Sequence, residues 1–298
     1  MPLVLNEEFL RKLELLRIAI KKSASIYKHG DVPARKKGGT IEFHSHDPYS
    51  QGEEFKNIDW AIYARLEELF IKQFVYEKAI SLDLIIDSSV SMNYGDPNKW
   101  DIAVKLSSII CYIVLSDHGI VKLYQTANNE ILSFNGGSDI AKCLKVLNNL
   151  KPKGNFDLDD FMKRFKNVQT SSAAKIMISD FWLDSPKELL RSMKAISQSS
   201  SSAGNAANKI SMIQILSPQE IVPDMSGSYI LKDLEKNISR KLHIDSETLI
   251  EYKEKVTEYI NDFEKSCKNY EFTYAKLISN SSLEEFCLII MRRSGVLI

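Results

Sequence analysis

Two apolar segments of this 298-residue chain, LDLIID and KIMISD, each end in an aspartate, Asp87 and Asp180. The first continues as DSSVSM, so Asp87, Ser89 and Ser91 alternate, and a tight turn can aim three oxygens at one point. A carboxylate, two hydroxyls and a second carboxylate from Asp180 suit a hard cation, since Mg²⁺ takes about six oxygen ligands and keeps several waters. Soft metals would ask for thiolates instead. The expected metal ligands are therefore Asp87, Ser89, Ser91 and Asp180, with Mg²⁺ as the ion and Mn²⁺ or Ca²⁺ as alternatives. The competing reading is structural: Ser88, Ser89 and Ser91 build a turn and cap the helix that follows.

Such a site needs strands that end together. From Ala79 onward the pattern supplies them. SLDLIID reads as a buried strand and NKWDIAVKLSSIICYIVLSD as a long helix with Ile102, Leu106, Ile109, Ile110 and Ile113 on its apolar face. GIVKLYQ is a second strand, with EILSF as a short edge strand beside it. Helices over Ser138–Leu150 and Leu158–Phe165 precede strand KIMISD, a helix from Pro186 to about Ile196 and strand KISMIQIL. A charged helix around Ser246–Lys268, strand FTYAKLI and a helix from Leu283 to about Arg293 close the chain. Strand–helix alternation implies a largely parallel α/β sheet with helices on both faces. Ligands of such sheets bind beyond the carboxyl ends of the strands, which is where Asp87 and Asp180 fall.

The first third is different. Leu10, Leu13, Leu16, Ile18 and Ile20 suggest an amphipathic helix over Asn6–Tyr27, followed by the loop HGDVPARKKGG. Ile41–His46 and Phe70–Glu77 read as strands with a helical turn between them. This divides the chain into an N-terminal helix with a small β attachment, 1–78, and an α/β domain, 79–298. Ser197–Asn208, SQSSSSAGNAAN, reads as a mobile connection.

Lys and Arg total 39 and Asp and Glu 39, so no excess of positive charge speaks for nucleic acid. The acidic start MPLVLNEEF lacks the basic region of a secretory signal, and the longest apolar runs fall well short of the roughly 20 residues that span a bilayer. Cys111, Cys143, Cys267 and Cys287 form no CxxC pair and read as small buried hydrophobes. The expected location is cytoplasmic. No GxxxxGK[ST] loop or GxSxG elbow is present, which speaks against a P-loop nucleotide site or an α/β-hydrolase nucleophile. His44 and His46 read as residues on an ordinary strand face, and Asp59, Trp60 and Arg65 as an Asp–Arg pair beside a Trp that pins a loop against the sheet.

Upstream, Asp47-Pro48-Tyr49, Gly52-Glu53-Glu54, Ile58-Asp59-Trp60, Ala64-Arg65 and Lys72 form an unusual block. Downstream stand Leu216-Ser217-Pro218-Gln219-Glu220 and Asp233-Leu234-Glu235. With the DxSxS turn, these residues resemble the MoxR-associated von Willebrand A-like proteins, domain-of-unknown-function family 58, over nearly the whole chain. The resemblance implies a von Willebrand A-like fold with a metal-ion-dependent adhesion site and no catalysis. It also implies an adaptor role beside a MoxR-type AAA+ ATPase in chaperone-like maturation. By the family pattern Asp87, Ser89, Ser91 and Asp180 are site residues. The family's middle motif, G-x-T-D-L, reads here Gly154-Asn155-Phe156-Asp157-Leu158, so Phe156 replaces a hydroxyl, for which Ser138 is a poorly spaced substitute. The expected partner is that ATPase or a client with an exposed Asp or Glu. The alternatives are a Mg²⁺-dependent hydrolase, or a scaffold whose metal site has decayed.

Overall fold

The computed structural model describes residues 11, 14–15, 39–50, 55–78, 81–128, 130–167, 174–199, 209–232, 239–283 and 285–287. Most of the expected Asn6–Tyr27 helix, of the HGDVPARKKGG loop and of Ser197–Asn208, the Asp233–Glu235 segment and the end of the last helix lie outside them. The chain forms two compact units, Ser25–Ala79 and Met1–Ala24 with Ile80–Ile298.

In the smaller unit, β1 (Gly39–Pro48) and β2 (Phe70–Lys78) pair antiparallel, with a bulge between Phe43 and Ser45. Between the strands lies α1 (Trp60–Leu66), capped by Asp59 Oδ1, which accepts from Ala61 N at 2.9 Å and Ile62 N at 3.4 Å. Asp59 Oδ2 lies 2.8 Å from His46 Nε2 and 3.5 Å from Lys72 Nζ. The His46 hydrogen bond is the main reason its carboxyl sits below the usual range. The expected Asp–Arg pair is thus replaced by His46 and Lys72. Nor does Trp60 pin a loop: it is 60% exposed and meets Tyr63 of its own helix edge-on at 6.0 Å.

The larger unit is built on a six-stranded sheet. Its strands are β3 (Ser81–Ile86), β4 (Ile120–Gln125), β5 (Leu132–Asn135), β6 (Ala174–Ser179), β7 (Lys209–Leu216) and β10 (Thr273–Ile278), in the order β10-β7-β6-β3-β4-β5. All pairings are parallel except β4 with β5, the expected edge strand. Counted within the sheet, this is the order 3-2-1-4-5-6 of doubly wound α/β folds. The chain leaves β3 towards β4 and β5, then returns to the other side of β3 as β6. The switch point therefore lies between β3 and β6, the strands that end in Asp87 and Asp180.

Alternation along β3 sends Leu82, Leu84 and Ile86 into one core and Ile85 into another. The first core takes in α2 (Lys99–Ser116) and α3 (Ile140–Asn149), which supplies Cys143 and Leu147. Ile102, Leu106, Ile109, Ile110 and Ile113 of α2 are all buried, as expected. So are Ser107 and Ser108, whose hydroxyls donate back to Ala103 O and Val104 O at 2.7 and 2.8 Å. The second core packs Phe161 and Phe165 of α4 (Leu158–Asn167), Leu189, Leu190 and Met193 of α5 (Pro186–Ser199), and the end of a later helix against the opposite face. Helices on both faces are what the alternating pattern implied.

Beyond β7, the short helix α6 (Pro218–Ile221) leads to a hairpin, β8 (Gly227–Lys232) and β9 (Ser239–Ile244), then to α7 (Ser246–Asn269). The hairpin is a separate two-stranded sheet that sequence reading missed. No helix of the described residues is long and apolar enough to cross a membrane.

Candidate functional site

Asp87 leaves β3 with its backbone N–H bonded to Ile178 O of β6 at 2.8 Å, which keeps the two strand ends together. Its side chain is 1% exposed and held on both oxygens. Oδ1 accepts from Ser89 N at 2.9 Å and Thr126 Oγ1 at 3.1 Å, and Oδ2 from Ser179 Oγ at 2.6 Å. Thr126 follows β4 and in turn accepts from Ser88 N at 3.0 Å. The turn is tied down further by Val90 N to Gly154 O at 2.9 Å and Lys153 N to Ser88 O at 2.6 Å. Ser89 and Ser91 bring their hydroxyl oxygens to 2.9 Å of each other. Ser89 caps a short 3-10 turn, Val90–Met92, but no side-chain cap bond forms, so the serines are not spent on capping.

Asp180 is buried too, but it is not a free carboxylate. Lys99 Nζ, with 0% side-chain exposure, lies 2.7 Å from Asp180 Oδ2 and 2.6 Å from Glu220 Oε1. Trp182 adds two donors, its N to Asp180 Oδ1 at 3.3 Å and its Nε1 to Glu220 Oε1 at 3.2 Å. Glu220 reaches back to Ser217 N at 2.8 Å while Ser217 Oγ accepts from Glu220 N at 3.2 Å, a reciprocal capping box at the start of α6. The loop after Asp180 is pinned by Tyr259 of α7, whose hydroxyl donates to Phe181 O at 2.6 Å and accepts from Leu183 N at 3.1 Å. That clamp holds Phe181 in a left-handed conformation, φ 54°.

The charges decide what the site accepts. Burial first, and the nearby Asp180 charge second, push the Asp87 carboxyl above its ordinary range, against the pull of the Ser179 and Ser89 hydrogen bonds. At Lys99 burial pulls the pKa down, yet the Asp180 and Glu220 charges outweigh it and the ammonium stays protonated. Lys99 thus pairs with Asp180 and Glu220, and with Asp87 near Asp180 the carboxylates here outnumber the one ammonium. Among the described residues no three His, Cys, Asp or Glu side chains group as a metal site. A cation here would depend on the serine hydroxyls. The donor set fits one: two adjacent hydroxyl oxygens, a carboxylate fixed in place by three donors, and a charge excess that a divalent ion balances.

All four expected residues, Asp87, Ser89, Ser91 and Asp180, line a single cavity of about 640 Å³. Phe156 lines it as well, so the residue in place of the family's Thr does stand at the site. Ser138 is not the substitute hydroxyl: it sits in the turn after β5, its Oγ 3.5 Å from Asn135 O. The extra hydroxyls around Asp87 come instead from Thr126 and Ser179. Lys99 and Glu220 were missed. Lys99 carried a legible signal, because a lysine at the first position of a helix opposes the helix dipole and needs nearby carboxylates. The rest of the cavity is mainly apolar, walled by Leu231 and Leu242 of the hairpin, Leu249 and Tyr252 of α7, and Pro223 and Met225 before β8.

Relatives are consistent in giving no activity by name. An uncharacterized protein of Mycobacterium bovis is 23% identical over 242 residues, 78% of this chain and 73% of that protein. Among solved structures, BatB, a conserved hypothetical protein of Bacteroides thetaiotaomicron, superposes with a TM-score of 0.41 at 14% identity, covering 73% of this chain and 98% of that one. The SpRpn10 VWA domain gives a TM-score of 0.41 at 12% identity, covering 73% and 96%. The family model described as "Protein of unknown function DUF58" matches residues 45–260, well over half the sequence, and the chain belongs to that family.

Proposed function

We propose that this protein is a von Willebrand A-type interaction module in which Asp87, Ser89 and Ser91 hold a divalent cation, with Asp180 beside it, and an acidic side chain of a protein partner completes the coordination. Mg²⁺ is the ion of choice, with Mn²⁺ or Ca²⁺ as substitutes. When bound, the ion supplies a hard, positively charged point that a carboxylate can join. The observation that carries this reading is that Asp87, Ser89 and Ser91 line one cavity, mainly apolar, at the switch point of the sheet.

Ser179 and Thr126 orient the Asp87 carboxylate, while Leu231, Leu242, Leu249 and Tyr252 line the approach with apolar surface. Binding is the better reading than hydrolysis because the Ser179 and Thr126 hydroxyls that donate to Asp87 are buried and do not line the cavity, while the Ser89 and Ser91 hydroxyls bond to each other. On the family resemblance, the partner is a MoxR-type AAA+ ATPase, or a client presenting an exposed Asp or Glu, in chaperone-like maturation work.

Affinity capture from lysate of the source cells tests the reading, using the full chain with Mg²⁺, with a chelator, and as Asp87→Ala. A protein retained only by the wild type in Mg²⁺, identified by mass spectrometry as an AAA+ ATPase, is the expected result. Identical capture in all three conditions would refute metal dependence.

A further inference from the structure

Lys99 is an unusual residue to find at 0% exposure at the start of a helix. Its backbone N–H bonds to Tyr94 O at 3.0 Å, so the loop that follows the DxSxS turn delivers it to the Asp180 and Glu220 carboxylates that line the cavity. There the ammonium takes one oxygen of Asp180 and one of Glu220 at 2.7 and 2.6 Å. Glu220 is itself fixed by the Ser217 capping box and by Trp182 Nε1. Asp180 is fixed by Trp182 N, and its own carbonyl accepts from Gln214 Nε2 at 2.7 Å. Every group that could release the lysine is therefore held in place from a second side.

We infer that Lys99 is a built-in counter-ion that sets the cation affinity of this cavity by claiming the Asp180 carboxylate. The inference rests on the reading that Asp87, Ser89 and Ser91 hold a divalent ion, and it adds what limits that ion's affinity. Cation affinity at an oxygen site rises with the number of anionic ligands. With Asp180 paired to an ammonium, an ion beside Ser89 and Ser91 has Asp87 as the carboxylate not paired to Lys99. The resting protein is then a weak cation binder, and a carboxylate brought from outside restores the missing negative ligand. Removing the ammonium should turn the same cavity into a tight one.

Two variants separate this effect from general electrostatics. Lys99→Met removes the ammonium and leaves three carboxylates without a counter-charge. Lys99→Met with Glu220→Gln removes one charge of each sign, so the net charge is that of the wild type and only Asp180 is freed. Glutamine can also keep the capping box, and replacing a buried ion pair by neutral groups of similar size is usually well tolerated. MgCl₂ is titrated calorimetrically into the full chain of each, with folding followed by far-ultraviolet circular dichroism.

The Mg²⁺ dissociation constant should fall about tenfold or more in both variants, as expected for one added anionic ligand. Should Lys99→Met fail to fold, the double variant decides. Wild-type binding that is unchanged or weakened in the double variant overturns the role of Lys99 and leaves the cation reading standing. Absence of Mg²⁺ binding in all three proteins overturns both.

Discussion

Replacing Gly95 by alanine should damage the cavity from a distance of one loop. Gly95 adopts φ +92°, a conformation that L side chains rarely take, and an added Cβ would overlap Ser217 Cβ and come within 3.1 Å of Ser217 Oγ. Ser217 is the N-cap of α6, and its capping partner Glu220 holds Lys99. The left-handed backbone costs an alanine about 1–2 kcal/mol. Displacing the cap costs a further ~0.5–2 kcal/mol. Together Gly95→Ala should lose about 1.5–4 kcal/mol, read as a lower urea midpoint with an unchanged slope. Ser217→Gly removes the atoms in the way, so the double variant should be more stable than the sum of the single losses, with a coupling of about 1 kcal/mol. A loss below about 0.5 kcal/mol for Gly95→Ala, within the range of an ordinary surface substitution, would refute the contact. Strict additivity in the cycle would do the same.

Other expectations follow from the buried groups. Because burial and Asp180 raise the Asp87 pKa, protonation of this group contributes stability that is present below the ordinary carboxylate range and lost as pH rises through the raised value. A cation and a proton then compete for Asp87, so Mg²⁺ affinity should fall as the solution is acidified from pH 7. Binding enthalpies measured in buffers of different ionisation heat should show proton release near the raised pKa, and pH-independent affinity would count against Asp87 as a ligand. All four cysteines are buried, and burial pushes the Cys267 thiol up to about 12. Ellman's reagent should react with none of them at pH 8 in the native protein and with all four after unfolding. Rapid native labelling of Cys267 would show that α7 is less firmly packed than its contacts indicate.

The strand-end aspartates were legible because each follows a run of residues buried on both faces, Leu82–Ile86 and Ala174–Ser179, whose apolar sequence admits few alternatives. The sheet order then brought Asp87 and Asp180 together without any further signal. The hairpin was illegible for the opposite reason. From Ser228 to Lys232 and from Ser239 to His243 its residues are exposed, so neither strand carries the in–out alternation that marks a half-buried strand. The ion pairs were only half legible. Lys99 stood in an unfavourable helix position, but its partners lie 81 and 121 residues away and could be assigned only once β6 and β7 were adjacent. The same holds for Thr126 and Ser179, two ordinary hydroxyls until strand pairing sets them against Asp87.

The most direct measurement is calorimetric titration of Mg²⁺ and Mn²⁺ into the purified full chain beside Asp87→Ala, with the fold of both verified by circular dichroism. Saturable binding of one ion per chain in the wild type, lost in Asp87→Ala, is the result expected of a cation held by the DxSxS turn. A variant that still binds with wild-type affinity would contradict it, because the ion would then be held elsewhere.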